Sequence, residues 1–402
     1  MGQTIKSHGR HCMVVHAYYP LMETRVQREA LALIDHGIEV DIICLRRAQE
    51  EPASLEDGVR VYRLPVGRHK GQGMIVQMLE YLTFFVLVFL RLTRLHLRRR
   101  YDVVQVHNLP DFLVFAALVP KLTGAKVILD LHDLMPEFYA ERTQKPMTSW
   151  GVRVIKWQER MSCRFADHVI TVTELWRRFL VERGQRPEKV TVVMNVADDR
   201  VFRRNVTPVE QENRHGFSLI YHGTMGYAHG LDLVLQAILR LQNDIPGLHL
   251  TLHGGGEYRT ILQKMVCELG LDNCVHFSRD IVPIERLASL LKAADIGIVP
   301  YRDGAFTGGI LPTKLMEYAA LGIPAIAART PTISEYFDSS MVEFFTPGDV
   351  DELAASILRL YQDRTRVEIL AQNINKFTER YNWSSQGAIY LLLVRQLMGQ
   401  AT

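Results

Sequence analysis

Short apolar runs alternate with longer amphipathic stretches along nearly the whole 402-residue chain. That rhythm specifies βαβ units and parallel sheets, and so an α/β fold. In the first half, His11 to His16, Glu39 to Cys44, Val59 to Arg63, Val103 to Val106, Val127 to Leu131, Val169 to Thr173 and Val190 to Met194 read as strands. Helices such as Val26 to His36, Phe112 to Leu122 and Val152 to Phe165 lie between them. Residues Asn195 to Arg214 then turn polar and irregular around Pro208, as a linker does, and the same rhythm restarts at Phe217. A chain of this length exceeds one compact core, so two modules are expected, over 1–203 and 215–383, with a cleft between them. Ligands of such sheets bind at the carboxyl ends of strands. No GxGxxG follows the first strand, where His16-Ala-Tyr-Tyr-Pro20 stands instead, and this argues against a dinucleotide oxidoreductase.

The segment Gly308-Gly309-Ile310-Leu311-Pro312-Thr313-Lys314-Leu315-Met316-Glu317-Tyr318 carries the densest chemistry. A glycine pair frees backbone N–H groups to approach a ligand, the following helix points its positive end at the same place, and Lys314 adds a full charge. Such an anion cradle suits a diphosphate. Glu317 lies three residues after Lys314 on the same helix face, where a carboxylate accepts bonds from ribose hydroxyls. The same pattern also fits a glycine-capped helix start with Glu317 solvated. Two more glycine loops follow strands of this module, Gly223-Thr224-Met225-Gly226 and Gly254-Gly255-Gly256, and Arg279 lies just beyond a third strand, where it could flank a base or a phosphate.

In the first module His107 and His132 each close a strand, in Val106-His107-Asn-Leu-Pro-Asp111 and Leu131-His132-Asp133. A single strand-end histidine is commonly structural; two on successive strands point to a site. Asp111 and Asp133 could cap a helix or orient a histidine, and for Asp111, which follows a proline and precedes a helix, capping is the expected role. Asp349-Val-Asp351 has the form of a metal-binding triplet, but it precedes an amphipathic helix and reads as a cap; no metal site is expected.

The net charge of +3 and the lack of a concentrated basic face exclude a nucleic-acid partner. Five scattered cysteines without CxxC spacing imply neither a disulfide framework nor a zinc site, and fit a reducing cytoplasm. The first eleven residues have no apolar core of signal-peptide type. Met78 to Leu97 is the most hydrophobic stretch, yet its uncharged run, Tyr81 to Leu90, covers half a bilayer. Arg91, Arg94 and Arg98-Arg99-Arg100 close it. Residues 78–100 therefore read either as a helix lying in a membrane interface on anionic lipid or as a core helix whose arginines snorkel to water.

Taken together, Tyr19-Pro-Leu-Met-Glu-Thr-Arg25, the His107 and His132 segments, Tyr221-His222-Gly223-Thr224 and the stretch from Gly308 through Ala-Leu-Gly-Ile-Pro324 resemble the retaining glycosyltransferases of family 4 over nearly the whole chain. The resemblance implies the GT-B fold, two Rossmann-like domains facing a cleft, with a C-terminal helix over 384–402 crossing back to the first. It implies a nucleoside-diphosphate sugar, UDP- or GDP-linked, in the second domain, an acceptor in the first, and no required cofactor. Glu317 then matches the glutamate on the ribose, and Lys314 a phosphate contact. Gly223, Thr224, Gly255, Arg279 and Gly308 to Leu311, with Gly309 and Ile310, would line the donor. His132 would hydrogen-bond the donor sugar and position the acceptor, with Arg25, His107 and Asp133 on the acceptor side.

Two departures stand out. The position eight before Glu317, where the family often has another glutamate, is Gly309, and the usual arginine and lysine after the first strand of the second domain are replaced by Thr224 and His229. The second change shifts phosphate neutralisation towards Lys314. The reaction expected is transfer with retention of configuration, the leaving phosphate helping to deprotonate the acceptor hydroxyl, in polysaccharide or glycolipid assembly at the cytoplasmic face of the membrane. A nucleotide-sugar epimerase of the same fold, or an assembly subunit without turnover, are the competing readings.

Overall fold

The computed structural model describes residues 9–20, 23–68, 73–209, 216–278 and 282–400. These fall into two compact units, one of residues 1–195 with 386–402 and one of 196–385.

The first unit is built on eight strands: β1 (Arg10–Val14), β2 (Glu39–Leu45), β3 (Ala53–Glu56), β4 (Val59–Leu64), β5 (Val103–His107), β6 (Lys126–Leu131), β7 (His168–Thr171) and β8 (Val190–Val192). Their order is β3-β4-β2-β1-β5-β6-β7-β8, and every pairing is parallel except β3 with β4. The expected strands are all present; β3 is an addition, a short edge strand without the apolar pattern that marks the others. β5 is buried throughout and β1 and β6 are buried beyond their first residues, as in strands covered on both faces.

Helix α1 (Thr24–Asp35) runs from β1 to β2, whereas α2 (Met74–Arg99) runs from β4 to β5 in the opposite direction across the sheet. Right-handed crossovers therefore place α1 and α2 on opposite faces. The helix Trp383–Leu397 shares the α1 face, where Tyr390, Leu391, Leu393 and Val394 pack with Val26, Ala30 and Leu33. On the other face α2 is followed by the 3-10 segment Asp111–Ala117 and the helix Trp150–Phe165, linked by the ring contacts Phe85–Phe112 and Phe115–Phe165.

The apolar 78–100 segment forms most of α2 and ends at its C-cap, Arg100. Phe84, Val88 and Leu92, one turn apart, are fully buried, while Leu79 and Leu90 are each 59% exposed. The helix thus buries one apolar stripe in the core and shows another to solvent.

The second unit has six parallel strands, β9 (Ser218–His222), β10 (His249–His253), β11 (Val275–Phe277), β12 (Ile296–Val299), β13 (Ala325–Ala328) and β14 (Glu343–Phe345), in the order β11-β10-β9-β12-β13-β14. Its core gathers Leu219, Tyr221, Leu250, Ile298 and Ile326 from the strands with Val234, Ile238 and Leu353 from the helices. Strand order reverses between β9 and β12 here and between β1 and β5 in the first unit. Each reversal opens a crevice at the carboxyl ends of its sheet.

Candidate active site

In the second unit the crevice beside β9 holds the helix Thr313–Leu321. The first N–H groups of any helix lack intrahelical partners, and this N-terminus carries a lysine. Lys314 is buried; its ammonium donates to the Tyr301 hydroxyl at 2.7 Å and lies over the rings of Tyr221 and Tyr301, 4.9 and 4.7 Å from their centroids. Burial alone would lower its pKa, but the Tyr221 and Tyr301 hydroxyls and Glu317 outweigh that and hold it above the ordinary lysine range. Gly223 stands directly in front of it: a Cβ there would lie 3.8 Å from Nζ.

Gly223 and its neighbours interlock with the next glycine loop. Gly223 N–H donates to His253 O at 2.9 Å and Met225 N–H to Gly255 O at 2.7 Å. Gly254 has φ +128°, and a Cβ on it would overlap the carbonyl of Gly223, so only glycine allows this approach. Gly223 and Thr224 are exposed and Gly255 is half-buried with open space beside it, so the loop pair forms a low rim in front of Lys314.

Glu317 sits on the same helix as Lys314 and is in hydrogen-bond contact with Nε2 of His222, the last residue of β9. The other ring nitrogen of His222 is 3.1 Å from the Tyr318 hydroxyl, which itself donates to Ile220 O at 3.0 Å. His222 was not assigned a role from sequence, although a histidine ending an apolar strand beside a glycine loop was the available signal.

His229 accepts a hydrogen bond from Gly226 N–H on Nδ1 at 3.0 Å, and burial, with the Lys314 charge nearby, pushes its pKa down to about 3. It is therefore neutral and adds no charge to the crevice. Arg302, bound bidentately to Asp232 at 2.9 and 2.7 Å, is likewise committed. Lys314 is left as the cation at this helix start among the described residues.

One expectation is corrected here. The pair Gly308 and Gly309 does not present free N–H groups: it closes a 3-10 turn, Gly308 N–H donating to Gly304 O at 2.9 Å and Gly309 N–H to Phe306 O at 3.0 Å. Thr332 Oγ1 donates to Gly308 O at 2.8 Å and pins the turn from behind. Ile310 N–H makes a long 3.4 Å bond to Thr307 O, so the backbone donors left to a ligand begin at Leu311 and the helix start rather than at the glycines. The expected Arg279 contact lies outside the described residues.

In the first unit, His107 ends β5 and His132 follows β6, and the sheet register brings them together: His107 Nδ1 is 3.1 Å from His132 Nε2. Asp130, buried between them, lies 3.2 Å from the first and 3.4 Å from the second. Burial alone would raise the Asp130 carboxyl, but Arg25, His132 and His107 prevail and hold it well below the usual range. Gln105 donates to Asp130 at 3.1 Å and to Glu29 at 2.7 Å, and Tyr390 donates to Gln105 Oε1 at 2.7 Å, tying the helix Trp383–Leu397 to this network.

The acceptor-side assignment of Arg25 is corrected by this arrangement. Arg25 is buried, bound to Asp130 at 3.1 Å, to Glu29 at 3.1 Å and to Val193 O at 2.9 Å, so its charge serves the network and is not offered to a ligand. His107, also buried, acts on His132 from behind, whereas His132 and Asp133 are half-buried and reachable. Burial pushes the Asp133 carboxyl up to about 6, with His132 opposing. Asp111 does not cap a helix: it is buried, accepts from Asn108 Nδ2 at 3.0 Å, and is pushed up to about 7 by burial. The donor atoms of His107, Asp130 and His132 all lie within 4.8 Å of one another, a spacing a cation can bridge; in this chain the Arg25 guanidinium supplies positive charge to Asp130. The aspartate expected to cap at 349 does so, accepting from Glu352 N–H at 2.9 Å.

Asp130 and Gln105 were missed in sequence reasoning, yet each is a lone polar residue inside an apolar strand, which is a signal for a buried hydrogen-bond network.

Comparison with known proteins places these arrangements. Residues 22–195 match the glycosyl transferase 4-like domain, and residues 216–363 match glycosyl transferases group 1. The chain is 26% identical to an MMP alpha-(1->4)-mannosyltransferase of Mycolicibacterium hassiacum over 74% of this chain and 72% of that protein. Sucrose-phosphate synthase from Thermosynechococcus elongatus superposes with a TM-score of 0.78 at 17% identity, covering 97% of this chain and 99% of that one. The Anabaena protein HepE, solved in complex with UDP-glucose, gives 0.70 at 16% identity, covering 97% and 100%. With both halves matched and a Rossmann-like α/β sheet in each unit, the chain belongs to the family 4 glycosyltransferases.

Proposed function

We propose that this glycosyltransferase moves a hexosyl group from a UDP- or GDP-sugar to a saccharide or lipid-linked acceptor, with retention of configuration and without a metal ion. The observation that carries the donor side is the buried Lys314 ammonium at a helix N-terminus, with Glu317 one turn along and in contact with His222. A fixed cation and helix dipole favour a diphosphate, and a carboxylate beside them accepts from ribose hydroxyls. A relative named as a mannosyltransferase and a structural neighbour solved with UDP-glucose support a nucleotide-sugar donor.

In the reaction, the anomeric C–O bond to the diphosphate breaks while a bond from the acceptor oxygen forms on the same face of the sugar. The acceptor proton passes to a leaving phosphate oxygen. Lys314 and the helix start stabilise the charge that develops on the diphosphate, and because both are held in place before reaction they need little reorganisation. His132 is assigned to the reacting hydroxyls, oriented by His107 and Asp130. The acceptor is proposed to reach the enzyme at the cytoplasmic face of the membrane, the solvent-facing apolar stripe and basic end of α2 supporting a peripheral contact there.

The test is a donor screen with product analysis: UDP- and GDP-hexoses incubated with enzyme, metal chelator and a lipid-linked saccharide. An α-configured product from an α-configured donor supports the reading. An isomerised donor formed without acceptor overturns it in favour of an epimerase.

A further inference from the structure

The helix Trp150–Phe165 turns a second amphipathic face to solvent, on the same side of the first sheet as α2. Trp150 and Trp157, two turns apart, are 79% and 64% exposed, with Val154 exposed between them. Large aromatics this open are unusual on a soluble surface, and here they are grouped on one helix face.

The charges on the helix point to what covers that face. Arg153, Arg160 and Arg164 are exposed along it and Lys156 is half-buried. Its one carboxylate, Glu159, is buried and held inward by Arg183 at 2.9 Å. The outward face therefore carries indole, valine and guanidinium groups and no acid. The pattern repeats on α2, whose one acid, Glu80, is buried against His16 at 3.1 Å. Leu122, at the end of the helix Leu118–Leu122 that packs against α2, is 76% exposed.

We infer that the Trp150–Trp157 face is a second membrane foothold, which with α2 forms a platform for an anionic lipid surface. The inference rests on the proposed peripheral contact of α2. Tryptophan favours the interface, where its ring enters the acyl boundary and its N–H stays at the headgroups, and the arginines supply the attraction to anionic lipid. One helix leaves a protein free to roll about the helix axis; a second foothold fixes the tilt of the unit on the bilayer. The ligand class is a bilayer bearing anionic headgroups, the setting in which a lipid-linked acceptor is presented.

The experiment is cosedimentation of the full chain with phosphatidylcholine vesicles, with and without phosphatidylglycerol. The variants are Trp150→Ser/Trp157→Ser, Arg153→Glu/Arg160→Glu and, on α2, Leu79→Ser/Leu82→Ser, each checked for an unchanged thermal melt. Wild-type binding that needs phosphatidylglycerol and falls about tenfold or more in both the tryptophan and the arginine variants supports the proposal. If wild type and the tryptophan variant bind alike while the α2 variant does not, the second foothold is overturned and the α2 reading stands. Absence of wild-type binding overturns both. Loss of a solution dimer in the tryptophan variant, with vesicle binding unaltered, assigns the face to a second copy of the chain and overturns the proposal.

Discussion

His222 and Glu317 are bonded through Nε2 and a carboxylate oxygen, joining the end of β9 to the helix that carries Lys314. The ring is held from its other side by the Tyr318 hydroxyl, 3.1 Å from Nδ1, which in turn reaches Ile220 O at 3.0 Å. His222 is thereby a positioning residue for the carboxylate assigned to the ribose.

Replacing His222 by leucine should free Glu317 and weaken donor binding by roughly 10- to 150-fold, the range for one lost charge-assisted hydrogen bond. Glu317→Ala should weaken it comparably, and the double variant should be little worse than either single one, because the two act as a unit. Calorimetric titration of donor into the four proteins checks this; fully additive losses would show that His222 does not act through Glu317.

Asp130→Asn should destabilise the protein by about 3–5 kcal/mol, since Arg25 would then be buried with its main counter-charge removed. The sign with pH follows from the depressed carboxyl. Stability from Asp130 is fully present above the ordinary aspartate range and is lost as pH falls through the lower value in the fold. Urea unfolding of wild type and variant should therefore converge in acid and diverge towards neutral pH.

Asp111 behaves in the opposite sense. Its carboxyl is pushed up to about 7 by burial, so below the ordinary aspartate range it is protonated in both folded and unfolded chains and contributes nothing. As pH rises towards 7 the unfolded chain ionises first, which destabilises the fold. Asp111→Asn keeps the oxygen that accepts from Asn108 and removes the charge. The variant should match wild type near pH 4 and exceed it by roughly 2–4 kcal/mol at pH 8, read from denaturant midpoints. Equal pH dependence of the two proteins would contradict the buried, protonated state.

Gly254→Ala should lower donor affinity as well as stability, because a Cβ at φ +128° meets the Gly223 carbonyl and would push the rim away from Lys314. Gly255→Ala, which faces open space, is the matched control and should be nearly neutral. Thermal melts and donor titration of both variants check this.

Much of the architecture was legible because each parallel strand is a nearly unbroken apolar run, as in Val103–His107 and Lys126–Leu131. Two histidines at successive strand ends were legible as a pair for the same reason, since parallel register sets them side by side. What escaped was decided by tertiary partners. A glycine pair can free N–H groups or close a 3-10 turn, and only the carbonyls of Gly304 and Phe306 decide which. Arg25 looked like a ligand contact until Asp130 and Glu29, 105 and 4 residues away, were seen to bind it. Asp111 followed a proline as a cap would, yet Asn108 and burial gave it another role. Residues 78–100 supported two readings because the helix has two apolar stripes, and sequence alone does not say which one meets the sheet.

Calorimetric titration of UDP- and GDP-sugars into wild type, Lys314→Ala, Glu317→Ala and His132→Ala tests the central claim most directly. The account predicts that one donor class binds wild type, that the first two variants each lose about tenfold or more in affinity, and that His132→Ala binds donor nearly normally while transfer slows. Unchanged donor affinity in both Lys314→Ala and Glu317→Ala would contradict it.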